Sequence, residues 1–90
     1  MVSQKVKIVN KNGLHMRAAG LFTKTMSGFE SDVYVKKGNL RINAKSILNV
    51  LASGIRQGDE VELICDGADE KAALETAVEL VKNGIDEQTV

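Results

Sequence analysis

Residues 5 to 27 read "KVKIVNKNGLHMRAAGLFTKTMS", and the spacing of their apolar residues changes midway. Over residues 5–10, Val6 and Ile8 fall on one side while Lys5, Lys7 and Val9 fall on the other, the period of a half-buried strand. "NKNG" then breaks the strand, with Gly13 supplying a residue that takes positive φ at no steric cost. From Met16 to about Ser27 the repeat becomes helical: Ala18, Leu21, Phe22 and Met26 recur at steps of three and four. Gly20, inside that helix, costs about 0.8–1 kcal/mol relative to alanine. A close packing contact or an approaching partner would each account for it, and the sequence does not choose between them.

The same switching of period continues to the end of the chain. "GFES" ends the first helix, and "DVYVKKGNLRIN" (32–43) reads as a hairpin turning at Lys37-Gly38-Asn39. Ser46 is placed to cap a short helix carrying Ile47, Val50 and Leu51, with Gly54 after its end. "GDEVELICDG" (58–67) is another strand, with Val61, Leu63 and Cys65 facing one way. The last helix has Asp69 as its cap, Glu70 at its positive end, and Ala73, Ala77, Leu80 and Val81 as its apolar face. Lys82 lies in its last turn and Gly84 follows. The order β-α-β-β-α-β-α, with one apolar face per strand, predicts a two-layer α+β sandwich covered by helices on one face of the sheet.

Bulk composition narrows the functions. Ninety residues suit one domain, expected over residues 1–90. Twelve basic and twelve acidic side chains cancel, which argues against a nucleic-acid partner. No apolar stretch approaches the ~20 residues that span a bilayer, so no membrane insertion is expected. One cysteine, Cys65, allows no internal disulfide and suits a reducing, cytoplasmic setting. One histidine, a distant cysteine and no clustered carboxylates give no metal-ligand set. No glycine-rich nucleotide loop is present, and no cofactor is expected.

The only histidine, His15, stands at or just before the first turn of the first helix, and Arg17 lies within that turn. A helix start leaves amide N–H groups without intrahelical partners and so attracts anions. A guanidinium adds a planar fork of donors matched to phosphate oxygens. A phosphoryl group on the imidazole would meet both, and phosphoryl transfer depends mainly on positioning and charge stabilisation. A lone histidine at a helix start is, however, more often a cap or a surface residue, and a lone arginine a solvated charge. Spacing by itself leaves both roles open.

Two separate motifs, "NKNGLHMRAAGLF" and "INAKSILNVLASGIRQGDEVELICDGADEKAA", closely resemble the histidine-containing phosphocarrier (HPr) family of the bacterial sugar phosphotransferase system. The likeness runs from Val6 to about Leu80. It implies an antiparallel four-stranded sheet of order 1-4-2-3 under three helices. It also implies a carrier that is not itself a turnover enzyme. His15 would be phosphorylated on Nδ1 by phospho-enzyme I and would pass the group to the IIA domain of a sugar permease. Arg17 matches the arginine beside that phosphate. Ser46 matches the serine that an ATP-dependent HPr kinase modifies in many members, creating a docking surface for a transcriptional regulator. Ile47, Leu48 and Leu51 fall where the family docks its partners. The expected state is a monomer.

The sequence also departs from the family pattern. Where the family usually has "HARPA", this chain has "HMRAAG". Ala18 in place of proline restores an N–H and removes backbone stiffness. Met16 enlarges the apolar surface near the imidazole, and Gly20 replaces a residue that often contributes to docking. These changes bear on partner choice. They admit a second reading, a regulatory or nitrogen-related paralogue acting mainly as a phosphorylation-dependent binding module. Purely regulatory members tend to lack the histidine, so its presence favours the carrier.

Overall fold

The structure, a computed structural model, describes residues 1–85; the last five residues of the expected 1–90 domain lie outside them. Seven elements follow in chain order: β1 (Val2–Lys7), α1 (Met16–Met26), β2 (Asp32–Lys37), β3 (Leu40–Asn43), α2 (Ile47–Ala52), β4 (Glu60–Asp66) and α3 (Glu70–Lys82). The strands form one antiparallel sheet of order β1-β4-β2-β3. Because β4 pairs with both β1 and β2, the α1 and α2 connections are held within one sheet.

The alternation in the strands builds the inner face. Val6 stands opposite Val61, Val35 lies between Leu63 and Ile42, and Val33 faces Cys65; all are buried. The helices close over them with Ala18, Ala19, Phe22 and Met26 from α1, Val50 from α2, and Ala73, Ala77 and Val81 from α3. Full burial of a side chain such as Phe22 is worth about 1.5–3 kcal/mol. The outer face carries charge instead, with Lys5, Glu62, Lys36 and Arg41 aligned across the four strands. Arg41 stacks over the Tyr34 ring at 4.1 Å.

Several expectations need correction. The first strand runs over Val2–Lys7, not residues 5–10. Its partner begins at Glu60, opposite Lys7. Beyond that point Ile8 bonds to the loop, donating to Asp59 O at 2.9 Å and accepting from Gly58 N at 2.8 Å. The last strand is correspondingly shorter, Glu60–Asp66 in place of 58–67. α1 ends at Met26, with Ser27 as its C-cap. Leu21 is not on the buried face of α1 but 40% exposed, and Ala19 takes its place in the core. Leu51 and Leu80 are half-buried at the core's rim.

Asp69 occupies the N-cap position of α3 but makes no capping hydrogen bond with its side chain. Its carboxylate instead accepts from the backbone amides of Glu30 and Ser31, both at 2.9 Å, and from the Ser31 hydroxyl. Glu70 turns back to accept from Gly67 N at 3.2 Å. The two connections lie close together: a Cβ on Gly67 would stand 2.6 Å from Ser31 Cα. The Ser31 hydroxyl, followed by the two amides, lowers the Asp69 pKa from 3.8 to about 2.

A carboxyl held below its unfolded value contributes stability that is complete above about pH 4 and is lost as pH falls towards 2. Ser31→Ala should therefore lower Tm at pH 6, and the deficit relative to wild type should shrink between pH 4 and pH 2. Thermal unfolding followed by circular dichroism reads this. An equal deficit at pH 6 and pH 2 would separate Ser31 from the carboxylate.

Candidate functional site: two helix starts and an apolar face

Gly13 sets the direction in which the chain enters α1. Its φ is +64°, and an added Cβ would lie 2.5 Å from Ile55 O and 2.7 Å from Arg56 Cα. Only a residue without a side chain fits both the angle and the contact. The Gly13 amide donates to Asn10 O at 3.0 Å, closing the turn, and the Leu14 amide donates to Ile55 O at 3.2 Å. Leu14 is buried. The next residue, His15, is thereby delivered as the N-cap of α1.

His15 has extended backbone angles (φ −72°, ψ 177°), and its carbonyl accepts the first helical bond, from Ala19 N at 2.8 Å. Its side chain makes no capping hydrogen bond. The amides of Met16, Arg17 and Ala18 precede that first bond and have no acceptor within the helix. No acidic residue occupies this turn, so no carboxylate on it competes with an anion for these amides. The half-buried His15 side chain and the exposed Arg17 side chain thus stand at the positive end of an 11-residue helix.

Ser46 starts α2 in a similar way. Asn43 accepts through its side chain from Lys45 N at 2.9 Å and through its carbonyl from Ser46 N at 3.1 Å, ending the hairpin sharply. The Ser46 hydroxyl then accepts from Asn49 N at 3.3 Å, so the expected cap is present. α1 and α2 pack together. Gly20 stands at their contact, where an added Cβ would lie 3.6 Å from Ile47 Cδ1, an ordinary van der Waals distance. Four large apolar side chains on these two helices remain exposed: Met16 (71%), Leu21 (40%), Ile47 (39%) and Leu48 (76%). Leu51 is half-buried among core-packed residues.

The structure therefore puts His15, Met16 and Arg17 on one turn, and Gly20 against Ile47 on the neighbouring helix. Among the described residues no group of three His, Cys, Asp or Glu side chains could hold a metal ion, and no helix is long and apolar enough to cross a membrane. Cys65 is fully buried beneath the helices, and burial raises its thiol pKa. Sequence reasoning passed over Asn10, a polar residue with 0% exposure. The signal was available: Asn10 continues the buried series Val6, Ile8 at steps of two.

Residues 2–83 match the protein family described as "PTS HPr component phosphorylation site". The phosphocarrier protein HPr of Neisseria meningitidis serogroup A is 42% identical over 81 residues, which cover 90% of this chain and 91% of that protein. The HPr-like protein Crh of Bacillus subtilis is 40% identical over 85 residues, 94% of this chain and all of that one. Among solved structures, HPr-C-His from Thermoanaerobacter tengcongensis superimposes with a TM-score of 0.93 at 39% identity, covering 99% of this chain and 100% of that chain. A small open-faced sandwich of this topology, matched along nearly its whole length, is that of the phosphocarrier proteins. The chain belongs to the HPr family of the phosphotransferase system.

The fold does not require glycine at residue 20, because the space for a methyl group is present and α1 is otherwise regular. Gly20→Ala should stabilise the protein by about 0.8–1 kcal/mol. In a chain of this size that raises Tm by about 4–8 °C. An unchanged or lowered Tm would show that the contact with Ile47 already fills the space.

Proposed function

We propose that this protein is a phosphoryl carrier in which His15 accepts a phosphoryl group on Nδ1 from phospho-enzyme I and passes it to the IIA domain of a sugar permease. The observation that carries this reading is the placement of His15 as the N-cap of α1, before a first turn that holds Arg17 and no acidic residue. An oxyanion on the imidazole meets the first-turn amides and the helix dipole. The Arg17 guanidinium, two residues on, supplies a fixed cation and a donor fork. Transfer breaks the donor's bond to phosphorus as the Nδ1–P bond forms. The same amides serve the reverse geometry when the group leaves. Ala18 adds an N–H at a position where the family usually has proline.

The exposed residues Met16, Ile47 and Leu48, with Leu51 at their edge, form the docking face in this reading. Gly20 has its place there too. It is held at a cost to helix stability that no contact within the fold demands, which leaves room for a partner's side chain. Every residue given a role lies on one chain, so a monomer suffices. The cytoplasm is the setting this role requires.

Ser46 is the regulatory position in this proposal, modified by an HPr kinase and read by a transcriptional regulator. Its hydroxyl caps α2, and a phosphate there would add about −1.5 to −2 charge beside the apolar docking residues. Similarity to the HPr-like protein Crh favours a second reading, a regulatory module in which Ser46 is the main site. His15 and Arg17 weigh towards the carrier.

Incubation with phosphoenolpyruvate and the cognate enzyme I should add one acid-labile phosphoryl group by intact mass. His15→Ala should abolish it; labelling of that variant would exclude His15. In the same assay Ser46→Asp should slow acceptance severalfold at low salt, with partial recovery as salt screens the charge. Modification at Ser46 by an ATP-dependent kinase, with none at His15, would support the regulatory reading instead.

A further inference from the structure

We propose that Asn10 is a positioning residue for His15: its buried side-chain amide clamps the main chain of Ile85 and thereby holds the turn that delivers the imidazole. The inference rests on the reading of His15 as the phosphoryl acceptor. Asn10 is completely buried, as is Ile85. The Asn10 Nδ2 donates to Ile85 O, and Asn10 Oδ1 accepts from Ile85 N at 3.0 Å. One side chain thus satisfies both main-chain groups of a residue 75 positions away, in the manner of one rung of a strand ladder.

An apolar residue at position 10 would continue the series Val6, Ile8 and fill the core. It would also leave a buried N–H and a buried C=O unpaired. What the amide adds is direction, because two opposed hydrogen bonds fix the loop against α3's end. The Asn10 carbonyl is in turn the acceptor that closes the Gly13 turn at 3.0 Å. On the opposite side, Gly13 and Leu14 rest on Ile55 and Arg56, and Gln57 Nε2 donates to Val9 O at 3.4 Å. The segment leading to His15 is therefore gripped between the α2–β4 loop and the end of α3. Displacement of a reacting group by about 1 Å costs on the order of a hundredfold in rate. A clamp on the turn acts on the chemistry through that sensitivity.

Two variants and a control test this. Asn10→Ala removes the clamp. Asn10→Asp keeps an acceptor for Ile85 N, but it regains a donor for Ile85 O only when the carboxyl is protonated. Ser31→Ala, beyond the far end of α1, serves as a destabilised control. In Asn10→Ala, hydrogen exchange at the Gly13 and Leu14 amides should quicken about tenfold or more relative to Val35 and Leu63 in the sheet. The rate constant for transfer from phospho-enzyme I should fall about tenfold with KM within about twofold, while Ser31→Ala transfers at the wild-type rate. For Asn10→Asp the ratio of variant to wild-type rate should rise as pH is lowered from about 8 to 6, as the protonated carboxyl restores the donor. Wild-type exchange at Gly13 and Leu14 in both variants would overturn the clamp. So would a transfer rate no lower than that of Ser31→Ala. A wild-type protein that accepts no phosphoryl group would instead refute the reading of His15, and the exchange measurement would still decide whether Asn10 holds the loop.

Discussion

The contact of Gly13 with the main chain of Ile55 and Arg56 is the constraint on which the rest of this structure depends. Two backbones approach there so closely that a methyl group has no room, and the Leu14 amide bonds to Ile55 in the same place. That contact turns the chain after β1 and starts α1 with an extended residue at its N-cap. It also ties the α1 start to the segment that follows α2, so the two helices that carry the exposed apolar side chains share one support. A shift at Gly13 would move the histidine, the direction of α1 and the loop before β4 together.

The electrostatics follow from that geometry. A helix start gathers amide donors whatever residues form it. The specific contributions of this chain are a histidine at the cap, an arginine within the first turn, and no carboxylate there. Apolar side chains that would ordinarily be buried remain exposed beside it on α1 and α2. An open sheet face with mixed charge lies on the other side of the molecule, so the proposed chemistry and docking fall on the helical layer. The chain belongs to the HPr family, and the carrier proposed here would hold a phosphoryl group briefly on this layer and present it.

Much of this was legible in the sequence because period carries it. The switch from steps of two at Val6 and Ile8 to steps of three and four after Met16 gave the first strand and helix. The hairpin turn around Gly38 and the Ser46 cap were equally local. Order 1-4-2-3 came from family resemblance and not from periodicity. What local patterns misplaced was decided by tertiary partners. β1 ends at Lys7 because its partner strand begins at Glu60, a fact absent from residues 5–10. Asp69 has the residue type and position of a cap, yet Ser31 and Glu30, from a distant connection, claim its carboxylate. Leu21 fits a helical face by spacing, but the two alanines and Phe22 occupy the core side of α1. The burial of Asn10 was legible from its place after Val6 and Ile8 at steps of two, but its partner, the main chain of Ile85, has no sequence signal.

The central claim is that the first-turn amides of α1 hold the phosphoryl group borne by His15. The most direct measurement is the amide spectrum of the wild-type protein with and without the phosphoryl group, by 1H–15N NMR with 31P coupling. On phosphorylation the Arg17 and Ala18 amide protons should move downfield and show coupling to phosphorus across a hydrogen bond. Phosphorylated His15 with those amides unmoved would contradict it.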